Sequence, residues 1–294
     1  MSSPKIGLPK RLVLALERVY DFIHRGIAHL TGQMRKPMIA EVYFAISHTK
    51  GITIKGRVLK LRKWRKPQID DHALRNLWQM LMLWATPERP FSLVRLSCGD
   101  VVIEERADDE GYFEISLPPE TAGARSVKIE LPESKVSKPG FVEPRVSSAE
   151  SRCLIVSDID DTVLISHAAK TLRMIGTTLF GNALTRQIFA GTPQLYQSLK
   201  SGTTPDKSED NPFAYVTSSP YNLHGLVDLI FKENRVPRGA YFMTDWGIDH
   251  EKWFKKSHSE HKLVAIREAL EWFPDRPAIL IGDSVSTTPI SILS

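Results

Sequence analysis

The segment "CLIVSDIDDTVLIS", residues 153–166, sets three carboxylates, Asp158, Asp160 and Asp161, directly after an apolar run. Like charges at that density repel one another unless a cation or a reaction uses them. A turn capped by aspartate, a calcium loop or a helix N-terminus would each use acidic residues too. The calcium loop fails because the further oxygen ligands and a glycine at set spacing are missing. A plain turn rarely follows a fully buried strand so closely with Thr162 next in line, so the cluster reads as a reaction centre. A second apolar run, Ala278 to Ile281, drives into Gly282-Asp283-Ser284. A buried strand that ends on an aspartate is how an α/β enzyme presents a carboxylate at a sheet edge.

Both carboxylate groups sit in a chain half that alternates strands and helices. "CLIVSD", "FAYVTSS", "GAYFMTD" and "PAILIGD" read as strands, and "LHGLVDLIFKEN" and "HKLVAIREALEWF" as helices. A mostly helical stretch is expected over about 166–200. Such alternation predicts a parallel sheet with helices on both faces. Before it, "GITIKGRVLKL" alternates, and "FSLVRLSCGDVVIEERADDEGYFEISLP" reads as strands joined by turns at Cys98-Gly99-Asp100 and Asp109-Glu110-Gly111. The expected organisation is therefore an amphipathic helical region over 1–50, a small β-sandwich-like domain over 51–131, a Pro- and Ser-rich linker over 132–150, and an α/β domain over 151–294. The helical stripe runs Leu12, Leu16, Val19, Ile23, Ile27, Leu30, and the apolar run "LRNLWQMLMLWA" reads as helix.

The motif Asp158-Ile159-Asp160-Asp161-Thr162-Val163 resembles the Asp-x-Asp-x-Thr signature of the haloacid dehalogenase superfamily of phosphohydrolases. The resemblance implies a HAD-like Rossmannoid sheet, Asp158 as nucleophile and Asp160 as general acid and base. It implies phosphate binding by Thr217, with Ser218 close behind, and by Lys262, for which Lys252, Lys255 and Lys256 are rivals. It assigns Asp283 to a metal, together with Asp158 and Asp160. The chemistry is coherent on its own terms: a carboxylate attacking phosphorus splits one hard displacement into two, and a second carboxylate moves the proton. Two anions meeting a phosphate dianion call for a hard divalent cation, Mg²⁺. "DIDDT" with "VTSSPYNL", "DWG" and "HKLVAIREALEWFPDRPAILIGDS" is similar to the catalytic domain of App1-type phosphatidate phosphatases over about 150–284. That similarity implies hydrolysis of phosphatidate to diacylglycerol, with a phosphomonoester of another kind as the rival substrate.

Composition is compatible with this expectation. The chain has 294 residues, enough for about two domains. Net charge is +5, which suits a phosphorylated partner or an anionic surface. Two cysteines, Cys98 and Cys153, in different halves suggest a reduced, cytoplasmic chain. No signal-peptide layout and no membrane-spanning run are present, and no nucleic-acid-binding motif is visible. The basic segment "IKGRVLKLRKWRK", residues 54–66, offers a peripheral membrane contact or a lysine-protected strand edge. The histidines of "DHEKWFKKSHSEH" lack a fixed ligand spacing and read as surface residues.

After Ser284 the resemblance stops. The family continuation Gly-Gln-His-Asp-Pro is replaced by Val285-Ser286-Thr287-Thr288-Pro289. Deleting one base from a family-like codon string regenerates residues 285–292, so a C-terminally truncated domain with reduced turnover is expected. The DNA downstream of the last codon tests this, since its shifted frame should continue the family sequence. A catalytically inactive lipid- or protein-binding module is the alternative from a different functional class.

Overall fold

The computed structural model describes residues 37–61, 88–134, 136–159, 188–189, 191–202, 209–244 and 258–282. Among the described residues eight strands come first: β1 (Met38–His48), β2 (Gly51–Lys60), β3 (Leu93–Cys98), β4 (Val101–Arg106), β5 (Tyr112–Leu117), β6 (Val127–Glu130), β7 (Gly140–Val142) and β8 (Arg145–Val146). They make two four-stranded sheets, ordered β5-β2-β1-β8 and β4-β3-β6-β7. Alternate residues of both sheets, including Ile52, Ile54, Leu96, Ile115 and Val127, share one buried apolar core, as period-2 alternation requires.

The alternating units that the described residues show follow the predicted order, with residues 166–187 of the expected helical stretch lying outside the described residues. They are β9 (Leu154–Asp158), α1 (Thr192–Ser201), β10 (Phe213–Pro220), α2 (His224–Glu233), β11 (Ala240–Thr244), α3 (His258–Trp272) and β12 (Ala278–Ile281). The sheet order is β11-β10-β9-β12, with every pairing parallel. Strands β9, β10 and β11 are buried along almost their whole length, because helices pack on them. Leu226, Val227, Ile230 and Phe231 of α2 and Ala265, Ala269 and Trp272 of α3 enter that core.

Three expectations change. Strand β1 occupies residues expected to belong to a helical region, because a bulge between Val42 and Phe44 breaks its alternation. The stretch expected as a linker supplies β7 and β8, which pair over only a few residues each and leave little periodic signal. Strand β12, expected to be buried, is half-exposed: Ile279 is 40% and Leu280 37% exposed, and β12 pairs only with β9 among the described residues. The stripe at 8–30 and the apolar run at 74–85 lie outside the described residues.

The bulge has a packing consequence. Before it, Met38, Ala40 and Val42 lie against the antiparallel core; after it, Ala45 does. Tyr43 and Phe44, though consecutive, both join the core of the parallel unit. Tyr43 stacks on Tyr221 with ring centroids 4.5 Å apart, and Phe44 meets Phe242 and Trp272 at 5.8 and 5.7 Å. Opposite the bulge Gly56 has no room for a side chain, since a Cβ there would collide with the Glu41 carbonyl and the Phe113 ring.

The basic residues of β2 also turn inward. Lys55 bonds Glu114 at 2.6 Å and lies over the Tyr221 ring. The Arg57 guanidinium pairs with Glu88 at 2.5 Å, bonds the Glu110 carbonyl and Asn222, and covers Tyr112. These charges therefore join the two parts of the molecule. The remainder of the basic segment, residues 62–66, lies outside the described residues. Among the described residues no helix is long and apolar enough to cross a membrane.

Glu268 of α3 shares this junction. Burial, with the neighbouring Glu114 carboxylate, pushes its carboxyl up to about 7, and the Lys55 ammonium opposes the rise. The folded chain therefore holds this proton more tightly than the unfolded chain does. The contribution of Glu268 to stability is full below pH 4.5 and lost as pH climbs through about 7. Glu268→Gln should consequently melt higher than the parent above pH 7, with the gap closing toward pH 4.5. Thermal melts across that range check it, and a gap independent of pH would contradict the assignment.

Candidate active site

Asp158 ends β9, whose preceding residues Leu154, Ile155 and Val156 are at most 3% exposed. That burial fixes the strand, and a local network fixes its last peptide. Ser157 donates to the Asp158 carbonyl at 2.8 Å and shares a 2.6 Å hydrogen bond with the Tyr196 hydroxyl of α1. Burial raises the Tyr196 phenol, and the charge of Asp158 adds to the rise, against the Ser157 bond. The hydroxyl therefore stays protonated and serves as a bonding partner.

The sheet order reverses at β9. The chain passes outward through β10 to β11 and returns on the other side as β12. In open α/β sheets such a reversal leaves a crevice at the carboxyl ends of the strands. Asp158 stands there, level with Val216 on β10, while Ile281 of β12 is level with Ser157.

Lys262, on the first turns of α3, crosses to this edge. Its ammonium donates to Asp158 Oδ2 at 2.5 Å, with side chains 27% and 12% exposed respectively. Two half-buried opposite charges in contact hold each other in place. On the other side Thr217 directly follows Val216 and is fully buried, its hydroxyl accepting from the Ser219 amide at 2.9 Å. The β10–β11 register shifts between Val216 and Pro220. There the Ser218 carbonyl is held by the Thr244 hydroxyl at 2.8 Å. A ladder irregularity beside a reacting group re-aims the chain locally.

The structure thus brings Asp158 and Lys262 into contact and sets Thr217 and Ser218 on the neighbouring strand. Asp160, Asp283 and the rival lysines Lys252, Lys255 and Lys256 lie outside the described residues, with Gly282 the last described position of the β12 strand end. Sequence reasoning missed Ser157, Tyr196 and Thr244. Ser157 adjoins the acidic cluster, but its partner Tyr196 is 39 residues away, and no spacing rule links them.

Residues 153–289 match the family described as phosphatidate phosphatase APP1, catalytic domain. Among curated proteins the chain is similar to phosphatidate phosphatase APP1 of Saccharomyces cerevisiae, at 26% identity over 130 residues. That alignment covers 44% of this chain and 21% of the yeast protein, so the chain spans about a fifth of its relative's length. Among solved structures, a carbohydrate acetylesterase from Xanthomonas citri aligns over 83% of this chain and 68% of its own, at 8% identity and a TM-score of 0.25. That score is too low to bear on fold or function. The matched span begins one residue before β9, contains every residue of the Asp158–Lys262 edge, and runs past β12. Residues 153–289 of this chain are an App1-type catalytic domain.

Proposed function

We propose that this domain is a phosphatase of the haloacid dehalogenase type that hydrolyses phosphatidate to diacylglycerol and phosphate. The observation that carries the reading is the Lys262 ammonium on Asp158 Oδ2 at the carboxyl edge of a parallel sheet, within the span matching the phosphatidate phosphatase catalytic domain. The Lys262 contact orients the Asp158 carboxyl before substrate arrives. A phosphate entering the crevice then shares that ammonium, with Thr217 and Ser218 on the adjacent strand.

In the proposed reaction an Asp158 carboxylate oxygen forms a bond to phosphorus as the bond from phosphorus to the glycerol oxygen breaks. Asp160 gives its proton to that leaving oxygen, releasing diacylglycerol. Asp160, now a carboxylate, takes a proton from water as the water oxygen attacks the phosphorus of the aspartyl-phosphate. The bond to Asp158 breaks, and phosphate leaves. The carboxylates of Asp158, Asp160 and Asp283 make an all-oxygen donor set that suits Mg²⁺, and the position of Asp158 at the strand end beside the Lys262 ammonium supports that reading. When bound by them, Mg²⁺ would neutralise phosphate charge as it develops. Asp160 and Asp283 enter on their sequence positions.

Phosphate release from phosphatidate in liposomes, with Mg²⁺ and after chelation, tests the reading. Release that depends on Mg²⁺ is expected. Release from soluble phosphomonoesters without release from phosphatidate would replace the substrate, and no release from either would reject the activity.

A further inference from the structure

A cavity of about 420 Å³ opens between the antiparallel sheets and the edge of the parallel sheet. It contains none of Asp158, Thr217, Ser218 and Lys262, and it flanks β11, two strands away from Asp158 in the sheet order. Its two walls differ in chemistry. The wall from the antiparallel sheets is apolar, with Val42, Ile129, Phe141 and Val142 among its side chains. The polar part of the lining comes from Arg145 on β8, beside β1 in its sheet, and from Arg238, Asp228 and Tyr241 on α2 and on β11 with its lead-in.

Three details show polar capacity that the protein itself does not use. The Tyr241 side chain is 2% exposed, yet its hydroxyl has no hydrogen-bond partner among the described residues. Burial and the Asp228 charge raise its phenol, so it remains a donor. Arg145, on an exposed strand, has neither an ion pair nor a side-chain hydrogen bond among the described residues; desolvation and the like charge of Arg238 lower its pKa, and Tyr241, Asp228 and Asp210 oppose the fall. Arg238 gives one terminal nitrogen to Asp228 at 2.6 Å, which leaves its other N–H groups to donate elsewhere. A buried donor without an acceptor calls for one, and two guanidinium groups lining the same cavity favour an anion in that place.

We propose that this cavity binds an amphiphilic organic anion. Arg145, Arg238 and the Tyr241 hydroxyl take the anionic head, a carboxylate or a phosphate, and the wall of β1, β6 and β7 takes its apolar part. The site is separate from the Asp158 edge and does not depend on the activity proposed for it.

Calorimetric titration of the full chain with octanoate, octyl phosphate and octan-1-ol tests the proposal. At least one of the two anions should bind at one site per chain, at least about tenfold more tightly than the alcohol. The tighter of the two anions identifies the head group. Arg145→Gln should weaken that binding at least about tenfold. Tyr241→Phe, which removes only a hydroxyl lacking a partner and so preserves the fold, should weaken it about threefold or more. Lys262→Ala should leave it unchanged. The proposal is overturned if neither anion binds or if octan-1-ol binds as well as the anions. It is equally overturned if binding survives both Arg145→Gln and Tyr241→Phe, or if it is lost on Lys262→Ala.

Discussion

Asp158→Asn should lower phosphate release by about a thousandfold or more. Asparagine matches aspartate in volume and keeps the hydrogen-bonded peptide between Ser157 and Ile159, but its amide oxygen cannot act as the nucleophile. The same change removes the partner of the Lys262 ammonium, which is only 27% exposed. Leaving one half of a partly buried ion pair uncompensated costs about 1–3 kcal/mol, so a modest fall in stability should accompany the loss of activity. Asp158→Glu separates the two effects. Its carboxylate keeps the charge that Lys262 needs, while the extra methylene displaces the attacking oxygen. It should therefore recover most of the stability and little of the activity. The measurements are phosphate release from phosphatidate under saturating Mg²⁺ and thermal melts of the three proteins. Release that persists in Asp158→Asn would remove Asp158 from the nucleophile's role.

The parts of the fold that show in the sequence are those whose side chains repeat with the period of their own element. The strand Gly51–Lys60 alternates, and the turn at Gly99-Asp100 separates β3 from β4, so both could be read directly. The apolar run before Asp158 and the helical periods of α2 and α3 placed the parallel unit in the same way. Strand β1 was illegible because its bulge sets Tyr43 and Phe44 on the same side, and two bulky residues in sequence spoil a period of two. The basic residues Lys55 and Arg57 looked like surface charges because their partners Glu114 and Asn222 lie 59 and 165 residues further on. The candidate site divides along the same line. Asp158 announced itself by the carboxylates around it, and Lys262 only through family resemblance, because their contact spans 104 residues. Tyr196 and Thr244 carry no local mark, since their hydroxyls bond the Ser157 side chain and the Ser218 carbonyl, which other strands supply.

Trp272, at the end of α3, shows how far that site depends on packing remote from it. The indole is 5% exposed and lies parallel to His48 at 5.4 Å and nearly parallel to Phe242 at 5.4 Å, with Phe44 at 5.7 Å. Its carbonyl accepts from the Thr49 hydroxyl at 3.2 Å. Burial lowers His48 to about 4, so near neutral pH the imidazole stacks uncharged. Trp272→Ala should therefore cost about 3–5 kcal/mol, because it opens a cavity where β1, β11 and α3 meet. Val264→Ala on the same helix is the control. Its side chain is 48% exposed, and alanine favours the helix, so the change should stay within about 0.5 kcal/mol. Denaturant titration of both variants measures the difference, and equal costs would mean that the indole is not packed as described. Activity should follow stability with a lag. Lys262 sits on the same helix, ten residues before Trp272, and α3 is held against β1 by the indole at one end and against β9 by the ion pair to Asp158 at the other. Loosening the indole end lets the helix shift against the sheet, so the ammonium no longer meets Asp158 in one fixed geometry. Phosphoryl transfer depends on such positioning, so kcat should fall under conditions where Trp272→Ala is still fully folded, whereas Val264→Ala should retain the parent kcat.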